Sequence, residues 1–372
     1  MGALVTKLNA RSQGIAPCRS VLMVGTDLES RGGIRSVVLG LQEAGLFERF
    51  DATYVSTHRT GNAWTKLTAA LRGWIKVAVL LCKLDAPLVH IQMSSRASFW
   101  RKSIVCLMAR MAGRPYLLHI HSGEFLQFYS SESGPVAQRY IRSVLKGAVL
   151  VIALSEQWRQ RLLSICPVAN VEVLSNAVAL PDTSQRRTGE APRLLYLGDL
   201  KHTKGAHDLL RAFARIAGRS PALHLVYGGT GDLDELRALA SQLGVAERVR
   251  FEGWLGPERK REAFATATLF ALPSYAEGMP MALMEAMAWG LPTISTPVGG
   301  IPQLITAEAN GLVVQPGDID ALAAAIERLM SDPALRERLG HAARTTIRAE
   351  FTLEATLARL TQIYSRFGIA AR

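Results

Sequence analysis

Short apolar runs recur along this chain, each entering a loop with glycine, serine or histidine and each followed by residues with helical apolar spacing. VLMVG (21–25), ATYVST (52–57), LVHIQM (88–93), YLLHI (116–120), VLVIA (149–153) and VEVL (171–174) read as buried strands of a first half. LLYLG, LHLVYG, VRFEG, TLFALPS, TIST and GLVV repeat the pattern from Leu194 onward. Between them lie helical segments such as 35–46, 62–84 and the strongly periodic stretch after Asp318. Strand-helix alternation with strands apolar on both faces predicts an α/β fold of two doubly wound parallel-sheet, Rossmann-like domains facing a cleft. The polar stretch around PDTSQRRTGEAP divides them. The expected organisation is a loose segment 1–17, an N-terminal domain 18–180, a linker 181–192 and a C-terminal domain 193–351.

One stretch, LPSYAEGMPMALMEAMAWGLPTISTPVGG (272–300), concentrates the chemistry. A strand runs into a glycine-bearing loop, Pro280 stands where a helix accepts proline, and Gly290 and Pro292 end that helix. The amides of Gly278, Met279, Met281 and Ala282 surround the helix start, an arrangement suited to phosphate oxygens. Glu285, inside the helix, offers two acceptor oxygens to neighbouring hydroxyls such as those of a ribose, and Glu277 could hold a sugar hydroxyl. Read as residues alone, Glu277 equally complements the helix dipole and Glu285 is equally a good helix former.

The whole stretch resembles the donor-site signature of glycosyltransferase family 4: a Pro-Ser pair, Glu-Gly-Met-Pro, a second glutamate eight positions after the first, Ala-Met-Ala-x-Gly-x-Pro and Gly-Gly. The resemblance runs over nearly the whole chain from about Val21 and is strongest from Leu195 to Ile305. It implies the GT-B architecture, a last helix (352–372) crossing back onto the first domain, and retaining transfer of a sugar from a nucleoside diphosphate sugar to an acceptor hydroxyl. Glu277 and Glu285 then contact donor sugar and ribose. The glycine loop after the first strand, with Gly33, would lie beside the donor, although it lacks the G-x-G-x-x-G of a dinucleotide site.

The same resemblance places a histidine at the end of strand YLLHI against the donor sugar, and His121 is the closer match, ahead of His119 and His90. Lys204 matches the family's diphosphate lysine by spacing. The family's arginine in that loop is replaced by Asp199, and Lys201 is the candidate for the missing charge. Many relatives carry an aspartate where this chain has Thr268. His121 and Glu277 are thus the expected catalytic pair, and no nucleophile is needed, because the departing phosphate can take the acceptor's proton. No cofactor or metal is expected: Asp232-Leu233-Asp234 opens a helix after a glycine turn, where acids act as cap and dipole partners.

Charge alters the picture of the acceptor. Of the net +12, residues 1–180 hold +11, with 21 Lys and Arg against 10 Asp and Glu. Arg96, Arg101 and Lys102 could receive an acceptor phosphate, and Trp64, Trp74, Phe99 and Trp100 lie among basic residues, a composition suited to an anionic membrane surface. No apolar run reaches membrane-spanning length, no secretory signal is read, and MGALVT formally matches a myristoylation pattern. The four cysteines lack metal-site spacing, as in a reducing cytosol. The expectation is a cytoplasmic enzyme, peripheral on the membrane's inner face, acting on a lipid-linked saccharide in bacterial surface-polysaccharide synthesis, with no nucleic-acid partner. A nucleotide-sugar epimerase of the same architecture and a non-catalytic nucleotide-sugar binder are the rival readings. The sequence names neither the sugar and base of the donor nor the acceptor.

Overall fold

A computed structural model describes residues 20–29, 32–85, 87–187 and 191–371. The segment 1–17, with its myristoylation pattern, and Cys18 lie outside the described residues. The chain divides into two compact units, Met1–Ala177 with Leu353–Arg372, and Val178–Thr352.

The first unit is built on six parallel strands: β1 (Ser20–Gly25), β2 (Ala52–Ser56), β3 (Pro87–Met93), β4 (Tyr116–Ile120), β5 (Leu150–Ala153) and β6 (Val171–Val173). Their order is β2-β1-β3-β4-β5-β6. β1, β3, β4 and β5 are buried along their whole length, as strands covered by helices on both faces must be. The order reverses direction between β1 and β3, so the loops at their carboxyl ends diverge and leave a crevice. The helix expected over 35–46 is two, Gly33–Glu43 and Leu46–Arg49, because Gly45 takes a left-handed φ of 81°. Helix Ala63–Lys83 starts at Asn62, whose side chain accepts from the Thr65 amide.

The C-terminal helix Leu353–Ser365 is part of this unit. Tyr364 packs edge-on against Phe50, with ring centroids 5.0 Å apart, and Glu172 pairs with Arg359 and Arg366.

The second unit has its own parallel sheet, from β7 (Arg193–Leu197), β8 (His224–Gly228), β9 (Val249–Gly253), β10 (Leu269–Leu272), β11 (Thr293–Ser295) and β12 (Leu312–Val313). The order β12-β11-β10-β7-β8-β9 puts the reversal between β7 and β10. Thr268 ties these two strands at their start, its hydroxyl accepting from the Arg193 amide at 3.0 Å. Most of the expected linker is laid down on this unit: Arg186 donates to the Gly290 carbonyl and Arg344 to that of Pro181.

Candidate active site

The loops leaving β7 and β10 meet at that reversal. Gly205, at φ 69°, follows the 3-10 turn His202–Lys204, and a Cβ there would stand 2.1 Å from the Pro273 carbonyl oxygen. Only glycine lets the two loops approach so closely. The Tyr275 amide donates to the Thr203 carbonyl at 3.0 Å, and Lys204 Nζ reaches the Ala276 carbonyl at 2.8 Å.

Lys204 Nζ also lies 2.8 Å from Glu277 Oε1, which accepts from the Ser274 hydroxyl at 2.8 Å. Glu277 is only 9% exposed, so its charge is held by a cation and a hydroxyl rather than by water. The backbone on either side is fixed from the opposite direction. Gly299, at φ 60°, sits against the Glu277 carbonyl, where a Cβ would come within 1.9 Å, and the Gly300 amide donates to the Gly278 carbonyl at 2.7 Å. The Gly-Gly pair of the sequence signature is therefore the seat of the glutamate loop.

Helix Met281–Ala288 begins at Pro280 with no side-chain cap, so its first-turn amides, those of Met281 and Ala282 among them, receive no side-chain acceptor. The Met279 side chain is buried beside Gly300. Glu285, one turn into the helix, bonds through Oε1 to Lys260 Nζ at 2.6 Å. Lys260 was not singled out by sequence reasoning; it sits on helix Pro257–Thr266, far from any motif. Lys201 Nζ is 3.7 Å from Asp199 Oδ2. The proposed substitute charge thus stands beside the acid that replaced the family arginine and is partly offset by it.

The Asp232-Leu233-Asp234 segment opens helix Leu233–Gln242, but the Asp232 side chain makes no cap bond, so the expected cap is corrected to a charge at the helix start. Asp234 points into solvent and pairs with Arg237 at 3.7 Å. One further group, His202, His207 and Glu235, brings three metal-capable side chains together. Its two imidazoles stack with centroids 3.6 Å apart and planes 6° from parallel. Both rings approach one carboxylate oxygen, Glu235 Oε1, through Nε2, at 3.0 Å from His202 and 3.2 Å from His207. They form a stack on the Glu235 carboxylate beside the Lys204 turn.

In the first unit, β4 ends at Ile120 and His121 follows it, its ring centroid 4.2 Å from that of His119. His121 Nε2 lies 2.6 Å from Gln92 Oε1, Gln92 Nε2 lies 3.2 Å from His90 Nε2, and His90 Nδ1 lies 2.6 Å from the Tyr364 hydroxyl. Burial pushes the imidazoles of His90 and His121 down to about 3 and His119 well below its ordinary value, so all three are neutral. Gln92 and Tyr364 were missed by sequence reasoning. The signal was the polar pair His90 and Gln92 two apart in an otherwise apolar strand.

Gly33 opens helix Gly33–Glu43, and a Cβ there would meet nothing within 4 Å. The three acceptor candidates do not form the expected basic face. Arg96 is engaged by Glu124 and Glu132, which spend its charge. Lys102 is 1% exposed and bonded to the Ser98 hydroxyl, and burial lowers its ammonium to about 7. Arg101 is half-buried, and burial lowers its guanidinium as well.

The aromatic expectation divides the same way. Phe99 is a core residue, and Trp74 is partly buried with Nε1 donating to the Arg101 carbonyl at 3.1 Å. Trp64 is 72% exposed and Trp100 40%. Exposed with Trp64 on helix Ala63–Lys83 are Leu67, Leu71, Ile75 and Val79, a helical stripe, beside exposed Lys66, Arg72, Lys76 and Lys83. On the adjoining helix Ala97–Met111, Trp100, Ile104, Leu107 and Met111 are exposed in the same way. Neither helix contains an acidic residue. No helix among the described residues is long and apolar enough to cross a membrane.

Comparison with known proteins places this geometry. Residues 20–177 match the family described as glycosyl transferase 4-like domain, and residues 182–346 match glycosyl transferases group 1. An alpha-D-kanosaminyltransferase of Streptomyces kanamyceticus is 28% identical over 300 residues, 75% of this chain and 77% of that one. A GDP-mannose-dependent alpha-(1-6)-phosphatidylinositol monomannoside mannosyltransferase of Mycobacterium tuberculosis is 31% identical over 258 residues, 64% of this chain and 67% of that one. Among solved structures, a sucrose-phosphate synthase from Thermosynechococcus elongatus superposes with a TM-score of 0.79 at 23% identity, covering 93% of this chain and 98% of that chain. With two parallel six-stranded sheets of the GT-B type and both halves matched, the chain belongs to the family 4, group 1 glycosyltransferases.

Proposed function

We propose that this glycosyltransferase moves a sugar from a nucleoside diphosphate sugar to the hydroxyl of a lipid-linked saccharide, with retention of anomeric configuration. The observation that carries the donor half is the half-buried Lys204–Glu277 pair between the β7 and β10 loops, at the start of an uncapped helix. In this reading the first-turn amides and Lys204 hold the diphosphate and offset the charge that develops as the C1–oxygen bond to phosphate breaks. The acceptor oxygen bonds to C1 from the face the phosphate leaves, and its proton passes to the departing phosphate oxygen. Glu285 holds the ribose, Glu277 a sugar hydroxyl, and His121 orients the donor sugar. Gly33 and Lys201 complete the donor contacts. Charge stabilisation by lysine and amides leaves no step that requires a metal ion.

The acceptor half rests on the paired apolar stripes of helices Ala63–Lys83 and Ala97–Met111, which carry lysine and arginine and no acid. Such a surface suits an anionic bilayer, where a lipid-linked acceptor resides. The mycobacterial relative, by its name, acts on a phosphatidylinositol mannoside, which is itself a lipid.

The test is the product. Donor and protein incubated with a polyprenyl-diphosphate-linked sugar in anionic vesicles should give a new glycoside whose anomeric proton coupling matches that of the donor. An inverted product, or donor consumption that never glycosylates a lipid, would overturn the reading.

A further inference from the structure

The buried hydrogen bonds behind His121 have a direction. Gln92 has one acceptor and one donor end. Its Nε2 lies 3.7 Å from Met23 Sδ, an atom that only accepts, as well as 3.2 Å from His90 Nε2. The amide nitrogen is therefore on the His90 side and the oxygen faces His121. Because Gln92 Oε1 only accepts, His121 Nε2 must carry its proton and donate to it. Because Gln92 Nε2 donates to His90 Nε2, His90 carries its proton on Nδ1 and donates to the Tyr364 oxygen. His90, Gln92 and Tyr364 are fully buried, so no water competes for these bonds. The opposite order, with the Tyr364 hydroxyl donating to His90 Nδ1, would also pair each donor with an acceptor, and what opposes it is the Met23 sulfur, which would then face the Gln92 oxygen with no proton between them.

We infer that Gln92, set by Met23, His90 and Tyr364, is a positioning residue that holds His121 in the Nε2–H tautomer, leaving its Nδ1 as a lone-pair acceptor for a substrate hydroxyl. Nδ1 of His121 has no hydrogen-bond partner in the protein, which in a buried polar atom calls for one from outside. A neutral acceptor there takes the proton of a sugar hydroxyl, whereas the other tautomer would present N–H to it and bond only the oxygen. The C-terminal helix thereby acts on the first unit's sheet through Tyr364, an end of the chain distant in sequence from the motif residues. The role of this lone pair rests on the assignment of His121 to the donor sugar.

Long-range proton–nitrogen correlation on the full chain labelled with ring-15N histidine reads the tautomer directly, with His121 assigned by the loss of its signals in His121→Gln. In the wild type, His121 should show a protonated Nε2 and an unprotonated Nδ1, unchanged between roughly pH 5 and 8 given an imidazole held at about 3. Gln92→Met should convert it to a tautomer mixture. The isosteric Tyr364→Phe, which keeps the fold if Gln92→Met does not, should also lose the single tautomer. A wild-type His121 protonated on Nδ1, or a single Nε2–H tautomer that persists in both variants, overturns the inference. Turnover separates it from the reading it rests on: Gln92→Met should lower kcat about tenfold to a hundredfold with little change in donor KM. A changed tautomer with unchanged kcat would uphold the hydrogen-bond chain and remove His121 from the reaction.

Discussion

Lys204, half-buried, and Glu277, buried, form an ion pair, Nζ to Oε1 at 2.8 Å, that joins the loop after β7 to the loop after β10. Each residue holds the other where the donor assignment needs it: the cation by the loop that leads into the uncapped helix, and the carboxylate on that loop, fixed through Oε1 by Lys204 and the Ser274 hydroxyl. Removing one partner of such a pair leaves the other's charge in a site with little water, so loss of function and loss of stability come together.

Lys204→Ala should therefore weaken binding of the donor by about 1.5–3 kcal/mol, the usual loss for a hydrogen bond to a charged group. Lys204→Ala with Glu277→Gln should restore part of the lost melting temperature without restoring affinity. Calorimetric titration and thermal melts on the three proteins check this; an affinity that recovers with stability would mean that Lys204 serves the fold alone.

Turnover should survive excess chelator. Asp234 stands in solvent and pairs with Arg237, and the diphosphate in this reading is held by Lys204 and the first-turn amides of helix Met281–Ala288. Activity abolished by EDTA and restored by manganese or magnesium would contradict a diphosphate held by lysine and amides.

The exposed stripes on helices Ala63–Lys83 and Ala97–Met111 should bind bilayers containing phosphatidylglycerol and not pure phosphatidylcholine. Each engaged basic residue contributes about 1 kcal/mol, screened within a Debye length of about 8–10 Å, so salt should reverse the binding. Trp64→Glu with Ile75→Glu should abolish co-sedimentation and spare thermal stability, since both side chains are exposed. Equal, salt-insensitive binding to both vesicle types, or none to either, would leave a water-soluble acceptor.

Lys102 gives a pH signature. Its folded ammonium titrates at about 7, below an ordinary lysine, so above that pH the unfolded chain binds the extra proton and stability rises as pH increases. Lys102→Met should accordingly raise the melting temperature most at pH 6, with the gain shrinking toward pH 9. For a domain of this size each kcal/mol moves the melt by about 2–4 °C, so the trend is measurable. A gain that is the same at both values would show that packing, not charge, sets it.

The two parallel sheets and the loop-to-helix form of the glutamate stretch were legible in the sequence, because buried parallel strands, glycine punctuation and proline at a helix start leave local signatures. What was not legible was who neutralises whom. Arg96, Arg101 and Lys102 count as three positive charges in a sequence, yet two glutamates pair with the first, Arg101 is half-buried, and burial lowers the Lys102 ammonium to about 7. Lys260 reaches Glu285 from another helix and Tyr364 reaches His90 from across most of the chain, contacts that no spacing encodes. Phe99 and Trp100 are adjacent, and only the helix's orientation on the sheet sends one to the core and the other to the surface.

The central claim is that Glu285 and its loop bind a nucleoside diphosphate sugar. The direct measurement is a titration of wild type and Glu285→Ala with the nucleotide sugar that most raises the wild-type melting temperature, in the presence of EDTA. The expected result is one site per chain in the wild type and an affinity lower by about 1.5–3 kcal/mol in a variant that remains folded. Wild-type affinity in a folded Glu285→Ala protein, or no nucleotide sugar that stabilises the wild type at all, would contradict it.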